Sequence, residues 1–514
     1  MAHLLRGGRI LSPDSMASTA LLIEHGRIAW IGTDDDADGL SLSGARITQL
    51  DGALLTPGFV DAHVHATSTG MTLLGLELSG TRSAVDLLDA VAREAMARPG
   101  AVILGHGWDE SRWPDRTLPT LSELDLACRG ARMYLTRVDS HSALVSSALM
   151  LAAPASREAR GFDESGWVTQ EAHHVLREAA LGSIDDVTRT RAQEVFLDAS
   201  AQHGIVSVHE MAGPVISSQD DCAQLLARAA ERIGTHVVAY WGELAQRGGI
   251  DTARELGARG TGGDLFVDGS LGSHTACMHD AYLDAPETRG REFIDQNELL
   301  VHIIACMVEG QQTGFHAIGD AANDAVLSAF AKAAALHGHD RVRDQRHRIE
   351  HAESLQSFTI AECARLGLLV SMQPVFDQRW GGDEGMYAQR LGRERASLLN
   401  PIGELMRHGV SVAFGSDAPV TPLDPWGAIH AAMNHRNTAQ RIDRDSALDA
   451  HSRAGWHAAG VDDAGRIVVG ERAHVAIWDA VIPGMLPAIG ATSLLTIRDG
   501  HVIHDAGALQ DSRC

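Results

Sequence analysis

At 514 residues and 45% hydrophobic content, the chain can bury a sizeable core, as about three domains or as one barrel with additions. A net charge of -24 speaks against nucleic acid and anionic membrane as partners. Six scattered cysteines without a Cys-x-x-Cys suggest neither a disulfide frame nor a thiolate zinc site.

No run of about 18 apolar residues predicts a membrane helix. The opening residues lack a basic stretch followed by an apolar one, so a cytoplasmic protein is expected. Lysine and arginine total 43, yet Lys332 is the single lysine.

Residues 1–53 alternate apolar and polar positions between turn residues, as in Leu21-Leu22-Ile23-Glu24-His25-Gly26-Arg27-Ile28. That pattern predicts hairpins. Residues 465–469, 474–479 and 495–503 repeat it. Neither end is long enough for a secure core, so 1–53 with 463–514 are expected to form one composite β-sandwich. Between them, over 54–462, short apolar runs alternate with helical stretches, the pattern of βα units around a parallel sheet. The predicted strands span 54–63, 205–209, 236–241, 265–268, 313–316, 346–350, 368–372 and 410–414, with helices such as 323–336 and 358–366 between them. Residues 67–200 exceed one βα crossover. With strands at 101–104 and 132–136 and a helix at 171–180, they read as an insertion roofing the barrel mouth.

The first barrel strand ends in Thr56-Pro57-Gly58-Phe59-Val60-Asp61-Ala62-His63-Val64-His65. His63 and His65 point the same way because strand side chains alternate with period two. With 27 histidines, roughly one or two such pairs arise by chance. A second pair does occur, His337-Gly338-His339, at what reads as a helix end. Context separates the two pairs. His316, His351 and Asp417 also fall where a strand gives way to a loop, the catalytic face of a parallel barrel. Three or more N/O ligands with one open position make a metal site able to activate water.

The segments 56–65, Gly107-Trp108-Asp109-Glu110-Ser111, Arg137-Val138-Asp139-Ser140-His141, Phe266-Val267-Asp268-Gly269-Ser270, 315–320, 349–353 and 414–419 occur in an order that resembles the amidohydrolase superfamily. The similar branch holds N-substituted formamide deformylases and YtcJ-like hydrolases. The resemblance implies a (β/α)8 TIM barrel with a terminal β-sandwich and a large insertion after strand one. It implies metal-ligand roles for His63, His65, His316, His351 and Asp417, and Asp417 as general base on the attacking water. Many such relatives carry a carboxylated lysine on the fourth barrel strand, bridging two metals. Here Asp264 holds that position, and Lys332 lies in a helical stretch, so composition rules the bridge out. Two carboxylates could stand in, for one ion or two. Asp264 is shorter by several bonds and reaches one metal or none. Glu171 reaches in from the insertion as a metal ligand or a substrate contact, and is counted with the metal ligands.

Other polar residues are expected to line the pocket. His209, Glu210 and Asp268 follow strands two and four; Gln373, Arg379 and Trp380 follow strand seven. Trp108, Asp109, Arg137, Asp139 and His141 lie in the insertion, and His274 stands where the resemblance leads one to expect arginine. The expected activity is hydrolysis of a non-peptide C–N bond, an amide or N-substituted formamide, in a small-molecule substrate, with His209 or His351 helping to hold the oxyanion. Zinc suits the ligands, as do iron, manganese or nickel. The rivals are hydrolysis of a cyclic amide, carbamate or ester, amidine deamination, or a catalytically silent metal-binding scaffold. A homo-oligomer stays open.

Overall fold

Gly58 divides the run expected as a single strand over 54–63. Leu54–Pro57 joins a terminal sheet, parallel to Arg9–Ile10 and antiparallel to Val475–Trp478. Phe59–Val64 crosses into a parallel sheet beside Ile205–Ala212. The residue at the break is glycine for a steric reason, since a Cβ on Gly58 would lie 2.5 Å from Val206 Cγ1. The computed structural model describes residues 2–11, 18–40, 43–137, 142–479 and 486–513.

The chain resolves into two units, Met1–Ala66 with Leu197–Cys514, and Thr67–Phe196. In the first, one four-stranded parallel sheet runs in the order Gly260–Thr261, His236–Trp241, Ile205–Ala212, Phe59–Val64. A second runs Gly314–Ala317, Arg348–His351, Leu369–Met372, Ser411–Phe414, again all parallel. Isolated parallel bridges pair Val64 with Ala418, Gly260 with Gln312 and Phe266 with His316. Every residue of Phe59–Val64 and Ile205–Ala212 is buried. Strands covered on both faces read as continuous apolar runs, which is why the sequence shows them.

One predicted strand is absent. Regular pairing at 265–268 is replaced by the Phe266–His316 bridge, and the strand stops at Thr261. Gly262 and Gly263 follow it at φ values of 135° and 81°, which end the extended run.

The termini build two five-stranded sheets in the same unit. The first has the order Gln510–Arg513, Arg46–Gln49, His3–Arg6, Ala20–Glu24, Arg27–Gly32. The other runs Arg9–Ile10, Leu54–Pro57, Val475–Trp478, Leu495–Arg498, His501–Asp505. Leu5, Leu21, Ile23 and Ile28 of one share a buried cluster with Leu55, Val475, Ile477 and Ile497 of the other. Each such burial contributes roughly 1.5–3 kcal/mol. The expected strand at 465–469 does not form. Gln510–Arg513 was not expected and pairs with Arg46–Gln49, where its short polar residues leave no apolar alternation to read.

The second unit has its own mixed sheet, in the order Trp167–Thr169, Ser142–Val145, Met133–Arg137, Ile103–Trp108, Leu76–Glu77. Ala84–Ala97 packs on it through Leu87, Val91 and Ala95, and Ser83 caps that helix by accepting from the Asp86 N–H. Among the described residues no helix is long and apolar enough to cross a membrane.

Candidate metal centre

His63 and Asp417 are brought together by backbone pairing across the first unit. The Asp417 N–H donates to the His63 carbonyl at 2.8 Å, and the His65 N–H to the Ala418 carbonyl at 2.9 Å. Asp61 clamps the same junction, accepting from the Ser416 N–H at 2.8 Å and from the His63 N–H at 3.3 Å. Its burial pushes the Asp61 carboxyl up to about 7.

Four imidazoles meet at the strand ends, and each has one nitrogen held from outside. His63 Nδ1 donates to Glu350 Oε2 at 2.9 Å, and His65 Nδ1 to the Met211 carbonyl at 3.1 Å. His316 Nε2 donates to the Gly269 carbonyl at 3.2 Å, and His351 Nδ1 to Gln373 Oε1 at 2.8 Å. Such outer partners fix ring orientation and turn the other nitrogen inward, where it can act as a ligand once deprotonated.

Those remaining nitrogens face two aspartates. His65 Nε2 lies 3.1 Å from Asp417 Oδ1, and His63 Nε2 lies 3.6 Å from it. Asp264 lies among all four rings. Its Oδ1 is 2.9 Å from His316 Nδ1, 3.5 Å from His351 Nε2 and 4.0 Å from His63 Nε2. Its Oδ2 is 3.7 Å from His65 Nε2. The donor atoms of His63, Asp264 and His351, and those of His63, His65 and Asp417, each lie within 4.8 Å of one another.

These residues fit a divalent cation. Ligand atoms about 2.0–2.2 Å from a tetrahedral ion stand roughly 3.3–3.6 Å apart, close to the separations here. His63 Nε2 is buried and has no hydrogen-bond partner, a polar atom left for something else to satisfy. Mixed imidazole and carboxylate donors suit zinc and neighbouring metals. The backbone is strained at two of the residues, with φ of 68° at His351 and 53° at Asp417.

Electrostatics follow the same arrangement. Burial pushes the Asp264 carboxyl up, but His316, His351 and His63 outweigh it and hold it well below the usual range. Asp417 ends lowered too, the hydrogen bond from His65 overcoming burial. Burial lowers His65 and His351, yet the two carboxylates raise them to about 9 and about 10. The cluster is built around negative charge that a cation would balance.

Several expected pocket residues have other work. Trp108 is fully buried in the second unit's core, its indole N–H donating to the Leu135 carbonyl at 2.8 Å. Its ring packs against Trp113 and Trp167, which corrects its reading as a substrate contact. Trp108→Ala should destabilise that unit by about 3–5 kcal/mol. Calorimetric unfolding checks this; a raised KM with unchanged unfolding would restore the substrate role. Asp268 is corrected likewise. Its carboxylate accepts the N–H groups of Ile318, Gly319 and Cys277 at 3.0, 2.8 and 2.8 Å, a loop clamp. Gln373 orients His351 rather than a substrate. His209 is fully buried, with Nδ1 3.0 Å from Arg348 Nη1 and its ring 5.7 Å from that of Tyr240. Its Nε2 is buried without a hydrogen-bond partner.

Within the second unit, Arg137 bonds Asp109 at 3.3 Å and Glu110 at 2.9 Å. Glu171 is exposed on the first turn of Gln170–Leu181, its Oε2 3.5 Å from the Arg160 N–H. His141 and Asp139 lie outside the described residues. His274 bonds Asp284 at 3.0 Å. Glu210 accepts the Ala66 N–H at 2.7 Å, and burial pushes its carboxyl up to about 7.

The sequence reading passed over Arg348 and Glu350. Both are buried, and they bond each other. A signal was there: two opposite charges, two residues apart, inside a strand otherwise read as buried.

Fold and site together define a metal-dependent hydrolase. The chain belongs to the amidohydrolase family, whose pattern it matches over residues 46–504. It is 28% identical over 420 residues to a putative amidohydrolase, YtcJ, of Bacillus subtilis (strain 168), covering 76% of this chain and 75% of that one. It is 22% identical over 510 residues to an N-substituted formamide deformylase of Arthrobacter pascens, covering 92% of each. Among solved structures, a metal-dependent hydrolase from Pyrococcus furiosus superposes with a TM-score of 0.75 at 26% identity, over 93% of this chain and 98% of that one.

Proposed function

We propose that this protein hydrolyses a C–N bond of a small amide or N-substituted formamide, with Asp417 as general base. His63, His65, His316, His351 and Asp417 would hold the cation. A divalent ion there would lower the pKa of a water toward about 7 and polarise the scissile carbonyl. Asp417 takes the proton of the attacking water and returns it to the leaving amine. The carrying observation is the Asp417 carboxylate, ionised and 3.1 and 3.6 Å from two imidazole nitrogens at the strand ends. The reading includes closure of the two parallel sheets into a (β/α)8 barrel, supported by the bridges between their outer strands. It also includes a sandwich of 1–53 with 463–514, supported by their shared apolar cluster.

The test is elemental analysis together with a panel of N-formyl and N-acyl amines. Bound metal and turnover of at least one member are expected. Dialysis against a chelator should abolish turnover, and zinc or manganese should restore it. A metal-free protein inert on every member would instead be a silent scaffold.

A further inference from the structure

We infer that Asp264 bridges two cation positions, one oxygen to each, so that this chain forms a two-metal centre without a carboxylated lysine. The inference rests on the metal-dependent reading above. Its first support is the division of the two oxygens. Oδ1 faces His316 Nδ1 at 2.9 Å and His351 Nε2 at 3.5 Å, with His63 Nε2, the ring shared by both groups, at 4.0 Å. Oδ2 faces His65 Nε2 at 3.7 Å, on the side where His65 and His63 meet Asp417. His63 belongs to both groups of donor atoms, so the two positions adjoin. A carboxylate spanning two such groups is a bridging donor, as in two-metal sites about 3.5–4 Å apart.

The second support is how so short a side chain arrives there. Asp264 carries its carboxylate one bond beyond Cβ, so the backbone itself must come inward. Gly262 and Gly263 allow that. Their φ values of 135° and 81° lie in the region that favours glycine. A Cβ on Gly262 would stand 2.4 Å from the Gly314 carbonyl oxygen, and one on Gly263 2.7 Å from Met211 Sδ. The segment is pressed against its neighbours at the two residues before Asp264. The third support is burial, since a carboxylate only 3% exposed needs cationic or hydrogen-bonding partners on both oxygens. Lys332 is exposed on Asp320–His337, where its Nζ donates to Gln296 Oε1 at 3.0 Å.

The probe is manganese(II), loaded into chelator-stripped full-length protein in buffer freed of carbon dioxide. Metal is counted by mass spectrometry after gel filtration, and magnetic coupling is read by electron paramagnetic resonance. Two equivalents with a coupled spectrum are expected, unchanged by added bicarbonate because no carbamate forms. Asp264→Ala, folded by circular dichroism, should keep one uncoupled ion and bind the second about 100-fold more weakly or worse. One equivalent in the unaltered chain, two coupled ions in folded Asp264→Ala, or a second ion appearing only with bicarbonate would each overturn the bridge. Those three results leave the hydrolase reading standing. No metal under any loading overturns both. If Asp264→Ala does not fold, the spectrum and bicarbonate series of the unaltered chain still decide.

Discussion

Asp417→Asn is expected to keep its metal and lose at least ~100-fold in kcat, the scale of a lost general base. Asparagine preserves the shape of the side chain and one oxygen facing His65. It cannot accept the proton of the attacking water. The wild-type carboxyl is held below its usual range, where the hydrogen bond from His65 outweighs burial, so it is ionised throughout the neutral range. Activity governed by this group should therefore hold as pH falls from neutral and decline only in acid. Steady-state kinetics beside metal content separate the two effects. A variant with full metal and kcat within tenfold of wild type would remove Asp417 from the chemistry.

Glu350→Ala should be costly twice over. Glu350 and Arg348 are buried; the guanidinium also donates to the Ala62 carbonyl at 2.7 Å and lies 4.7 Å from the Tyr240 ring centre. Removing the carboxylate strands a buried cation, an effect of about 3–5 kcal/mol. It also frees His63 Nδ1, so cation affinity should fall roughly 10–100-fold. Replacing both partners, as Arg348→Met with Glu350→Leu, should recover much of the stability without recovering affinity. Thermal unfolding and metal titration on both variants check this. If Glu350→Ala unfolds like wild type, the pair is not structural. Burial raises the Glu350 carboxyl, but Arg348 and His63 bring it down to about 2. A depressed carboxylate lends stability above its unfolded value, lost as pH falls toward about 2. The Glu350→Ala difference should therefore shrink in strong acid.

Much of the fold was legible because it is periodic and local. His236–Trp241 appears where its apolar run lies, and Asp320–His337 and Ser357–Leu366 contain the helices read at 323–336 and 358–366. The failures share a cause. The strand at 54–63 splits because its two halves pair with different distant strands, Arg9–Ile10 and Val475–Trp478 for one and Ile205–Ala212 for the other. No window around Gly58 contains those partners. Trp108 and Asp268 looked like pocket residues because each sits in a motif-like segment. Their partners, Leu135 and Trp167 for one and Ile318 and Gly319 for the other, are tertiary.

By itself, the sequence determined which residues could carry metal chemistry and in what order: His63, His65, His316, His351 and Asp417 at the ends of apolar runs. It also excluded a carboxylated lysine, because a single lysine in a helix cannot be at the fourth strand. Tertiary structure alone shows where the Asp264 carboxylate stands. Sequence put Glu171 among the metal ligands and counted against Asp264 that its side chain is several bonds shorter than lysine. Directly after two glycines at positive φ, the Asp264 carboxylate stands within 4.0 Å of four imidazoles. Reach is set by where a Cα lies relative to distant strands, and a linear string holds no coordinate for that.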